Sequence, residues 1–464
     1  MIKYDAIIVG SGQGGNPLAK KLAAAGWKTA LIEKKWIGGT CINVGCTPTK
    51  TLIASGRVAY LVKRSADFGI HIADVGTRAR GWSVDIEAVI RRKNAHVLKS
   101  RESSTKSLLE TPNLEVIFGH ARFSGHKELT IAKEDGSTST LTAEHIFINT
   151  GTRASIPSTP GLSSIQYFTY DTLMDLLVVP THLAIIGGSY IALEFGQFYR
   201  RLGSEVTILE EGERFLHKED EDIAAEIKKI LEEDGIRILT GAKVAGLTPT
   251  DGADVIDLGT GEKIRASHVL VATGRLPETA ALDPGASGVA VDEHGFIKVN
   301  DRLETNVPGI YALGDVKGGP QFTHVSYNDH LILYKNLFEK GNQSKAGRPT
   351  LYCLFMDPEL GRVGLTEDEA RAKGLKIKVA KIPASHIARA WEEDEDRGVL
   401  KAVVDAETGH ILGAAMLSVN GGELMSMLQL AMMGGITYDV LRDNMFAHPT
   451  FAESLNNLFA QLDK

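Results

Sequence analysis

The residue types that could carry chemistry are concentrated in one short segment, GGTCINVGCTPTK, at residues 38–50. Its cysteines, Cys41 and Cys46, are separated by four residues, and the glycines allow a bend that brings the two sulfurs together. Pro48 suits the first turn of a helix, which predicts a helix over residues 47–63 with Cys46 at its N-terminus. The helix dipole lowers the pKa of a thiol at that position. The segment therefore predicts a redox-active cysteine pair.

Two other interpretations of this pair are weaker. Zinc binding is opposed by the spacing, which is wrong for a paired-ligand motif, and no second cluster of cysteine and histidine follows in the sequence. Two buried structural cysteines would not need the flanking Gly-Gly-Thr and Pro-Thr-Lys. We therefore expect no metal site. The third cysteine, Cys353, lies in the apolar run YCLF and is interpreted as a buried hydrophobic residue.

An internal repeat supplies the elements that could position the pair. Residues 6–33 and 183–210 align without a gap, each residue matching the one 177 positions later. Each copy has an apolar run, a glycine-rich turn, a helix-like stretch and a second apolar run that ends in an acid, Glu33 or Glu210. This order is typical of a βαβ unit, so the sequence predicts two such units.

The glycines of the first copy have distinct physical roles. Gly10 permits the tight turn, Gly12 lets the backbone approach a pyrophosphate, and Gly15 lets the helix pack on the strand. The helix N-terminus then faces the phosphates with free N–H groups. Glu33 and Glu210 stand where an acid accepts hydrogen bonds from ribose hydroxyls. Two dinucleotide sites in one chain imply two cofactors, a flavin and a nicotinamide.

The second copy keeps Gly187 but has Ser189 and Ala192 in place of the later glycines, and both are small residues. Two further runs, IFINTG and VLVATG, predict strands that end in Thr-Gly, and residues 309–315 (GIYALGD) predict a strand that ends in Gly-Asp. An acid at that strand end, Asp315, could hold a ribityl hydroxyl of a flavin.

Composition excludes several classes of protein. The formal net charge is −7 and no basic block is present, which argues against nucleic-acid binding. No apolar run reaches the about 20 residues that cross a bilayer, and charged residues interrupt any signal-peptide pattern. We therefore expect no membrane partner and a cytoplasmic protein. The 464 residues divide into segments 1–155, 156–275, 276–345 and 346–464, and the first of them has a helical excursion near residues 50–110. The last is a separate α/β domain, with predicted strands near residues 351–355, 376–382, 399–404 and 411–417.

A second candidate for proton chemistry lies near the C-terminus, in the segment HPTFAE at residues 448–453. The unperturbed pKa of histidine, about 6.5, suits proton transfer at neutral pH. Glu453 is close enough in sequence to His448 to orient its imidazole. The chain has 14 histidines, so the segment alone does not separate a catalytic histidine from a surface one.

These segments together resemble the class I flavoprotein disulfide reductases, the family of dihydrolipoamide dehydrogenase, glutathione reductase and mercuric reductase. The motif GTCINVGC carries the resemblance, together with the order of the two nucleotide units, the Gly-Asp strand and HPT. The resemblance covers essentially the whole chain. It implies an α/β fold with two Rossmann-like domains that bind FAD and NAD(P) and a C-terminal α+β dimerisation domain. It also implies that the third segment completes the FAD site, and that in a homodimer each interface domain completes the partner's active site.

The resemblance also assigns roles to individual residues. Cys46 contacts the flavin, Cys41 attacks the substrate, and His448 with Glu453 relays protons to Cys41 of the other subunit. Lys50 and Glu194 lie beside the flavin, and Tyr190 is an aromatic lid that moves when nicotinamide binds. The residues assigned to the cofactors are Gly10, Gly12, Gly14, Gly15, Glu33, Lys34, Gly39, Thr40, Lys50, Ala121, Thr150, Gly151, Gly187, Ser189, Tyr190, Glu194, Glu210, Gly274, Arg275, Gly314 and Asp315.

Three interpretations of the electron acceptor remain open. CTPTKT, FINTG, GGPQFTHVS, DRGVLKAVVD and LRDNMFAHPTFAESLNNLF are most similar to mercuric reductases and to the bacterial reactive-chlorine-resistance flavoproteins, which implies a metal-ion or oxidative-stress reductase. A mercuric reductase normally carries a C-terminal cysteine pair, which this sequence lacks after Cys353. The alternatives are a dihydrolipoamide dehydrogenase and a diaphorase or transhydrogenase with a regulatory disulfide. Glu210 and Glu211 favour NADH over NADPH, because a carboxylate repels a 2′-phosphate. Arg214 is the nearest cation that could bind such a phosphate instead.

Overall fold

The computed structural model of the chain describes residues 1–72 and 82–463. A helical excursion near residues 50–110 is predicted, and its part at residues 73–81 lies outside the described residues. The strands of the described chain are β1 (Ile2–Val9), β2 (Thr29–Glu33), β3 (Leu114–Phe118), β4 (His120–Gly125), β5 (Glu128–Ala132), β6 (Thr138–Ile148), β7 (Thr152–Ala154), β8 (Tyr167–Phe168), β9 (His182–Ile186), β10 (Glu205–Leu209), β11 (Ile236–Leu239), β12 (Gly246–Thr250), β13 (Ala253–Asp257), β14 (Lys263–Ala266), β15 (His268–Val271), β16 (Arg275–Pro277), β17 (Ile310–Ala312), β18 (Leu351–Leu354), β19 (Glu359–Gly364), β20 (Ile377–Pro383), β21 (Val399–Asp405) and β22 (Ile411–Ser418).

Its helices are α1 (Gly15–Ala24), α2 (Gly39–Val44), α3 (Cys46–Lys63), α4 (Ile86–Leu109), α5 (Tyr170–Leu173), α6 (Tyr190–Leu202), α7 (Glu221–Glu233), α8 (Thr323–Phe338), α9 (Glu367–Ala372), α10 (Ala388–Glu392), α11 (Gly421–Met433), α12 (Tyr438–Asp443) and α13 (Ser454–Phe459). Among the described residues, none of these helices combines the length and the apolar character needed to cross a membrane.

The first sheet joins the N-terminal strands to one strand from much later in the chain. Its order is β3-β2-β1-β6-β5-β4, and β17 pairs in parallel with the second half of β6. Strands β1 and β2 pair in parallel, and β2 is buried along its whole length. Near-continuous apolar runs of this kind are typical of parallel strands that are covered on both faces. The pairing of β17 brings the Gly-Asp turn to the edge where β1 and β6 end.

The second sheet, β11-β10-β9-β15-β8, is parallel throughout and confirms the predicted repeat. In the first unit the N–H of Gly10 donates to the carbonyl of Ile32 at 2.8 Å. In the second unit the N–H of Gly187 donates to the carbonyl of Leu209, also at 2.8 Å. Donor and acceptor are each displaced by 177 positions between the copies. The two units therefore share one backbone geometry at the turn where a dinucleotide would bind.

The C-terminal segment forms a separate antiparallel sheet, β18-β19-β22-β21-β20, with α11 packed against it. Four of its strands were predicted from apolar runs near residues 351–355, 376–382, 399–404 and 411–417. The prediction missed β19, whose sequence ELGRVG has two glycines and an arginine. Gly361 is required there because a Cβ at this position would lie 2.2 Å from the carbonyl oxygen of Gly421. The predicted α/β fold class is confirmed.

Contacts between the second unit and the C-terminal sheet fix their relative positions. Arg362 of β19 is buried and lies 3.6 Å from the carboxylate of Asp220. Lys401 of β21 is also buried and lies 3.4 Å from the same carboxylate. Because an isolated buried charge is costly, these residues must remain paired, and the pairing restricts how the two parts can move.

Candidate active site

The two cysteines lie on consecutive helices that meet at Gly45. Cys41 is within the short helix α2, and Cys46 is the first residue of α3. Both are free thiols. The helix predicted over residues 47–63 thus begins one residue earlier and places the sulfur of Cys46 at its N-terminus, where the helix dipole favours a negative charge.

The thiol of Cys46 is hydrogen-bonded from two directions. Its sulfur lies 3.3 Å from the hydroxyl oxygen of Thr323, the first residue of α8. The hydrogen bond from Cys41 lowers the pKa of Cys46 most, and Thr323 and the nearby charge of Lys50 lower it further, to about 6, although burial opposes them. The same hydrogen bond raises the pKa of Cys41. At neutral pH the pair therefore holds a thiolate on Cys46 and a proton on Cys41.

A partly buried ion pair lies one turn of α3 beyond Cys46. The ammonium of Lys50 donates to both carboxylate oxygens of Glu194, at 2.8 and 2.7 Å. The Glu194 side chain is only 4% exposed and also accepts from the backbone N–H of Phe355 at 3.0 Å. The pair forms because α3 packs against α6, an approach that Gly56 permits. The structure thus brings together three of the predicted site residues, Cys46, Lys50 and Glu194.

The glycine-rich turn of the first unit is closed against its neighbours. A Cβ on Gly10 would lie 2.3 Å from the carbonyl oxygen of Asn149, and one on Gly15 would lie 2.2 Å from that of Gly10. Gly39 approaches this turn closely as well, since its Cβ would meet the Cα of Gly12 at 2.7 Å. The backbone therefore forms a tight cradle in front of the N-terminus of α1, as a pyrophosphate requires.

Polar groups around this cradle fit a dinucleotide. Glu33 is fixed by Ser11, whose backbone N–H and hydroxyl both donate to its carboxylate, at 3.0 and 2.6 Å. The hydroxyl oxygen of Thr150 and the amide oxygen of Asn16 are buried without a protein hydrogen-bond partner. Buried polar groups are normally hydrogen-bonded, and the polar edge of a bound dinucleotide would supply the missing partner.

The Gly-Asp turn is tied to both units. The hydroxyl of Thr152 donates to the carboxylate of Asp315 at 3.2 Å, and Arg275 donates to the hydroxyl oxygen of Thr152 at 2.7 Å. Burial raises the pKa of Asp315, against the opposing charge of Arg275. Asp315 and Arg275, predicted from segments 40 residues apart, are therefore brought into one cluster.

The remaining residues predicted for the first cofactor lie in different environments. Gly14 packs against Ser326, and Gly314 against Ser326 and Asn149. Gly151 accepts from the N–H of Glu278, and Thr40 lies within α2 beside Gly39. Lys34 is half-exposed and forms an ion pair with Glu278, while Ala121 lies within β4, near the contact of Gly119 with Glu33.

In the second unit, as in the first, an acid at the end of the second strand accepts hydrogen bonds from the glycine-rich turn. The carboxylate of Glu210 accepts from the backbone N–H of Gly188 at 2.7 Å and of Gly212 at 2.8 Å. Gly187 has a φ of 106° and Gly274 one of 120°, a region that favours glycine. Ser189 is the N-cap residue of α6, although its side chain makes no capping hydrogen bond. These features fit a second dinucleotide.

Arg214, the cation that could favour a 2′-phosphate, is held elsewhere. Its guanidinium donates to the carbonyl oxygen of Glu219 at 2.6 Å and lies 3.5 Å from the carboxylate of Asp368. Both carboxylate oxygens of Glu210 meanwhile face backbone N–H groups of the turn. The negative charge of Glu210 therefore has no arginine partner among the ion pairs of the described residues.

Tyr190, the predicted lid, begins α6 and is largely buried, and burial raises its pKa to about 12. Its ring centroid lies 6.2 Å from that of Phe322, which is stacked on His324 and on Tyr352. Phe322 directly precedes Thr323. The lid and the cysteine pair are thus connected through one short segment.

His448 and Glu453 form a pair on the C-terminal part of the chain. The imidazole Nδ1 lies 2.9 Å from a carboxylate oxygen of Glu453, and the His448 side chain is 69% exposed. Within the described residues, no hydrogen bond or ion pair joins His448 to Cys41 or Cys46 of the same chain. Exposed apolar side chains occur on the same part of the chain, namely Leu430, Met433, Ile436, Val440 and Met445.

Sequence reasoning missed Thr323, Thr152, Ser11 and Asn149. Thr323 reaches Cys46 from 277 positions away, and no local pattern signals a contact of that range. Ser11 could have been found, because it follows Gly10 in the turn that faces Glu33. Asn149 could have been noticed as the one polar residue of the run IFIN, which precedes Thr-Gly.

The comparisons with known proteins agree with this geometry. Residues 4–329 match the family model described as "pyridine nucleotide-disulphide oxidoreductase", and residues 350–459 match its dimerisation domain. The chain is 39% identical to "probable pyridine nucleotide-disulfide oxidoreductase RclA" of Escherichia coli, over 99% of both chains. It is 34% identical to a mercuric reductase of Bacillus cereus, over 99% of this chain and 72% of that protein. It is also 34% identical to a dihydrolipoyl dehydrogenase of Thermus scotoductus, over 100% of this chain and 98% of that protein.

A solved structure is similar over the full length. The Cu(II) complex of the HOCl-induced flavoprotein disulfide reductase RclA from Escherichia coli superposes with a TM-score of 0.91. It is 37% identical in sequence and covers 100% of both chains.

The hydrogen bond between Thr323 and Cys46 can be tested without catalysis. Thr323→Val keeps the shape of the side chain but removes the hydroxyl, so we expect the pKa of Cys46 to rise above about 6. Alkylation of Cys46 by iodoacetamide in the reduced protein, followed by mass spectrometry from pH 5 to 9, should slow roughly two- to ten-fold at pH 6. Thr51→Val, which removes a hydroxyl bonded to Thr47 on the same helix, should leave the midpoint in place. Equal midpoints in all three proteins would contradict the assignment.

Proposed function

This chain belongs to the pyridine nucleotide-disulphide oxidoreductases, as an FAD-dependent enzyme that takes electrons from NAD(P)H, and from that premise we propose that it reduces a metal ion such as Cu(II) in defence against oxidative stress. The observation that carries the proposal is full-length similarity to RclA, whose Cu(II) complex has been solved. Thiolate ligands also favour the soft ion Cu(I), which is the product of that reduction.

The residues around the two turns would hold the cofactors. Gly10, Gly12 and Gly15 with the N-terminus of α1 would bind the pyrophosphate of FAD, Glu33 a ribose, and Asp315 the ribityl chain. The turn at Gly187, with Glu210, would bind the nicotinamide nucleotide in the same way. When bound, FAD supplies two-electron transfer between NAD(P)H and a disulfide.

The protein groups near the cysteines then determine the thiol chemistry. Lys50 keeps a positive charge next to Cys46 and favours its thiolate, while Glu194 keeps Lys50 in place. Cys41 retains its proton until the acceptor arrives, since the shared hydrogen bond raises its pKa. Oxidation of this thiolate–thiol pair to a disulfide releases two electrons to the acceptor and one proton, that of Cys41, to solvent or a base.

We place that base in the partner subunit of a homodimer. His448 is paired with Glu453, which orients its imidazole, yet among the described residues no hydrogen bond or ion pair joins it to the cysteines of the same chain. The exposed apolar side chains of α11 and α12 supply a surface that a second copy would cover. The four-part division at residues 155, 275 and 345 belongs to the same proposal, with the last segment as the interface domain.

Dihydrolipoamide dehydrogenase is the second candidate function. It is favoured by the His448–Glu453 pair, because a leaving thiolate must be protonated when a disulfide substrate is reduced. A metal ion acceptor does not impose that requirement.

A panel of acceptors under NADH tests the main proposal. We expect kcat/KM to be highest for Cu(II) or Hg(II), compared with lipoamide, glutathione disulfide and quinones. Cys41→Ser should lower metal turnover by about a hundred-fold or more, because the dithiol is lost, while Cys353→Ser should retain it. Higher turnover of lipoamide would support the second candidate. Full metal turnover by Cys41→Ser would favour a diaphorase instead.

Mixed dimers test the position of the base. As homodimers, His448→Ala and Cys41→Ser should each be slow with any acceptor whose reduction requires the Cys41–Cys46 pair. A heterodimer of the two variants contains one intact site, made of wild-type cysteines and a wild-type histidine, so we expect up to half of the wild-type rate. Tagged heterodimers purified over two affinity steps allow the measurement. Absence of any rescue would place His448 outside the site of the other subunit.

The choice of nucleotide follows from Glu210. A carboxylate accepts from a 2′-hydroxyl and repels a 2′-phosphate, and Arg214 is occupied by Glu219 and Asp368. We therefore expect NADH to be preferred by roughly ten- to a hundred-fold in kcat/KM. Glu210→Ala should shrink the preference by improving NADPH. Glu211→Ala should have a smaller effect, since that side chain is exposed and lies near Lys243. A wild-type preference for NADPH would contradict this assignment.

A further inference from the structure

The side chain of Asn149 joins two separate parts of the first nucleotide unit. It lies directly after β6, is only 6% exposed, and uses both ends of its carboxamide. The amide oxygen accepts from the backbone N–H of Gly15 at 2.8 Å, and the amide nitrogen donates to the carbonyl oxygen of Leu313 at 2.9 Å. One carboxamide thus connects the first turn of α1 to the start of the Gly-Asp turn.

The glycines of both turns are packed around this carboxamide. A Cβ on Gly12 would lie 3.0 Å from its oxygen, and a Cβ on Gly15 would lie 2.8 Å from it. On the other side, a Cβ on Gly314 would lie 2.7 Å from its nitrogen. Three glycines from two distant segments therefore leave room for the same side chain, and any larger residue at these positions would displace it.

The second unit differs at the corresponding strand end. The N–H of Asn149 donates to the carbonyl of Val9 at 2.8 Å, and the N–H of Ala272 donates to the carbonyl of Ile186 at 2.8 Å. The two residues therefore occupy equivalent positions in the repeat, yet Ala272 has no polar side chain. Both units have the same backbone hydrogen bond at this position. The first unit has in addition the carboxamide of Asn149, a tether between its two turns, which Ala272 cannot provide in the second unit.

We propose that Asn149 is a positioning residue that holds the phosphate turn and the Gly-Asp turn at a fixed separation, and thereby makes FAD a slowly dissociating cofactor. The inference rests on FAD occupying the first unit. The two turns would bind adjacent parts of FAD, the pyrophosphate and the ribityl chain, so fixing them in advance reduces the ordering that binding requires. The second unit lacks this tether, as suits a nucleotide that must leave after each turnover.

The energetics of the contact support this role. Without the carboxamide, the N–H of Gly15 and the carbonyl of Leu313 would both lose their partner inside the fold. Unsatisfied buried groups are costly, so the two turns would separate to reach water. Such a separation would act on the FAD site and leave the turn at Gly187 unchanged.

The test measures release of FAD from the holoenzyme. Asn149→Ala should release FAD about ten- to a hundred-fold faster than wild type, measured as the rise of free flavin fluorescence after dilution. Binding of NAD⁺, measured by calorimetry, should change less than about two-fold. Gln197→Ala is the matched control, because Gln197 is a buried carboxamide that donates to the carbonyl of Asp357 and accepts from its N–H. It should destabilise the protein without accelerating FAD release.

Asn149→Asp is the second variant, for the case in which Asn149→Ala does not fold. Its carboxylate can accept from Gly15 but cannot donate to Leu313, so FAD release should again be faster than in wild type. Release at the wild-type rate from a folded variant, or equal acceleration by Gln197→Ala, would overturn the proposal. A wild-type protein that binds no FAD would instead refute the cofactor assignment of the first unit.

Discussion

The negative charge on the sulfur of Cys46 is the interaction on which the rest of the active site depends. Three elements converge on it, since α2 brings the thiol of Cys41, α3 its own N-terminus and Lys50, and α8 the hydroxyl of Thr323. Together they lower the pKa of Cys46 to about 6 against the cost of burial. The packing of α3 on α6 also favours the thiolate, because it places Glu194 where its carboxylate holds Lys50 near Cys46.

Around this centre, one backbone plan is used twice with different side chains. The hydrogen bonds at the turns of Gly10 and Gly187 coincide, and each turn is bonded to an acid at the end of the next strand. The units differ at Asn149 and Ala272, where one carries a tether and the other does not. In our proposal the duplicated plan provides two dinucleotide sites, and Asn149 adapts the first of them to a cofactor that dissociates slowly.

Local patterns predicted what depends on local physics. The glycine turns, the helix that begins beside Cys46, the repeat and the α/β class follow from residue spacing, and the structure contains them. The sequence did not predict β19, because two glycines and a buried arginine interrupt its apolar character. It also missed Thr323 and the partners of Arg214, since these contacts join residues that only the tertiary fold brings together.

The central claim is that electrons from the nicotinamide reach the Cys41–Cys46 pair. The most direct measurement adds one equivalent of NADH to the oxidised enzyme without oxygen, then quenches with an alkylating reagent in denaturant and maps the labelled cysteines by mass spectrometry. We predict that Cys41 and Cys46 change together from unlabelled to labelled, while Cys353 is labelled before and after. Consumption of NADH without new label on these two cysteines would contradict the claim.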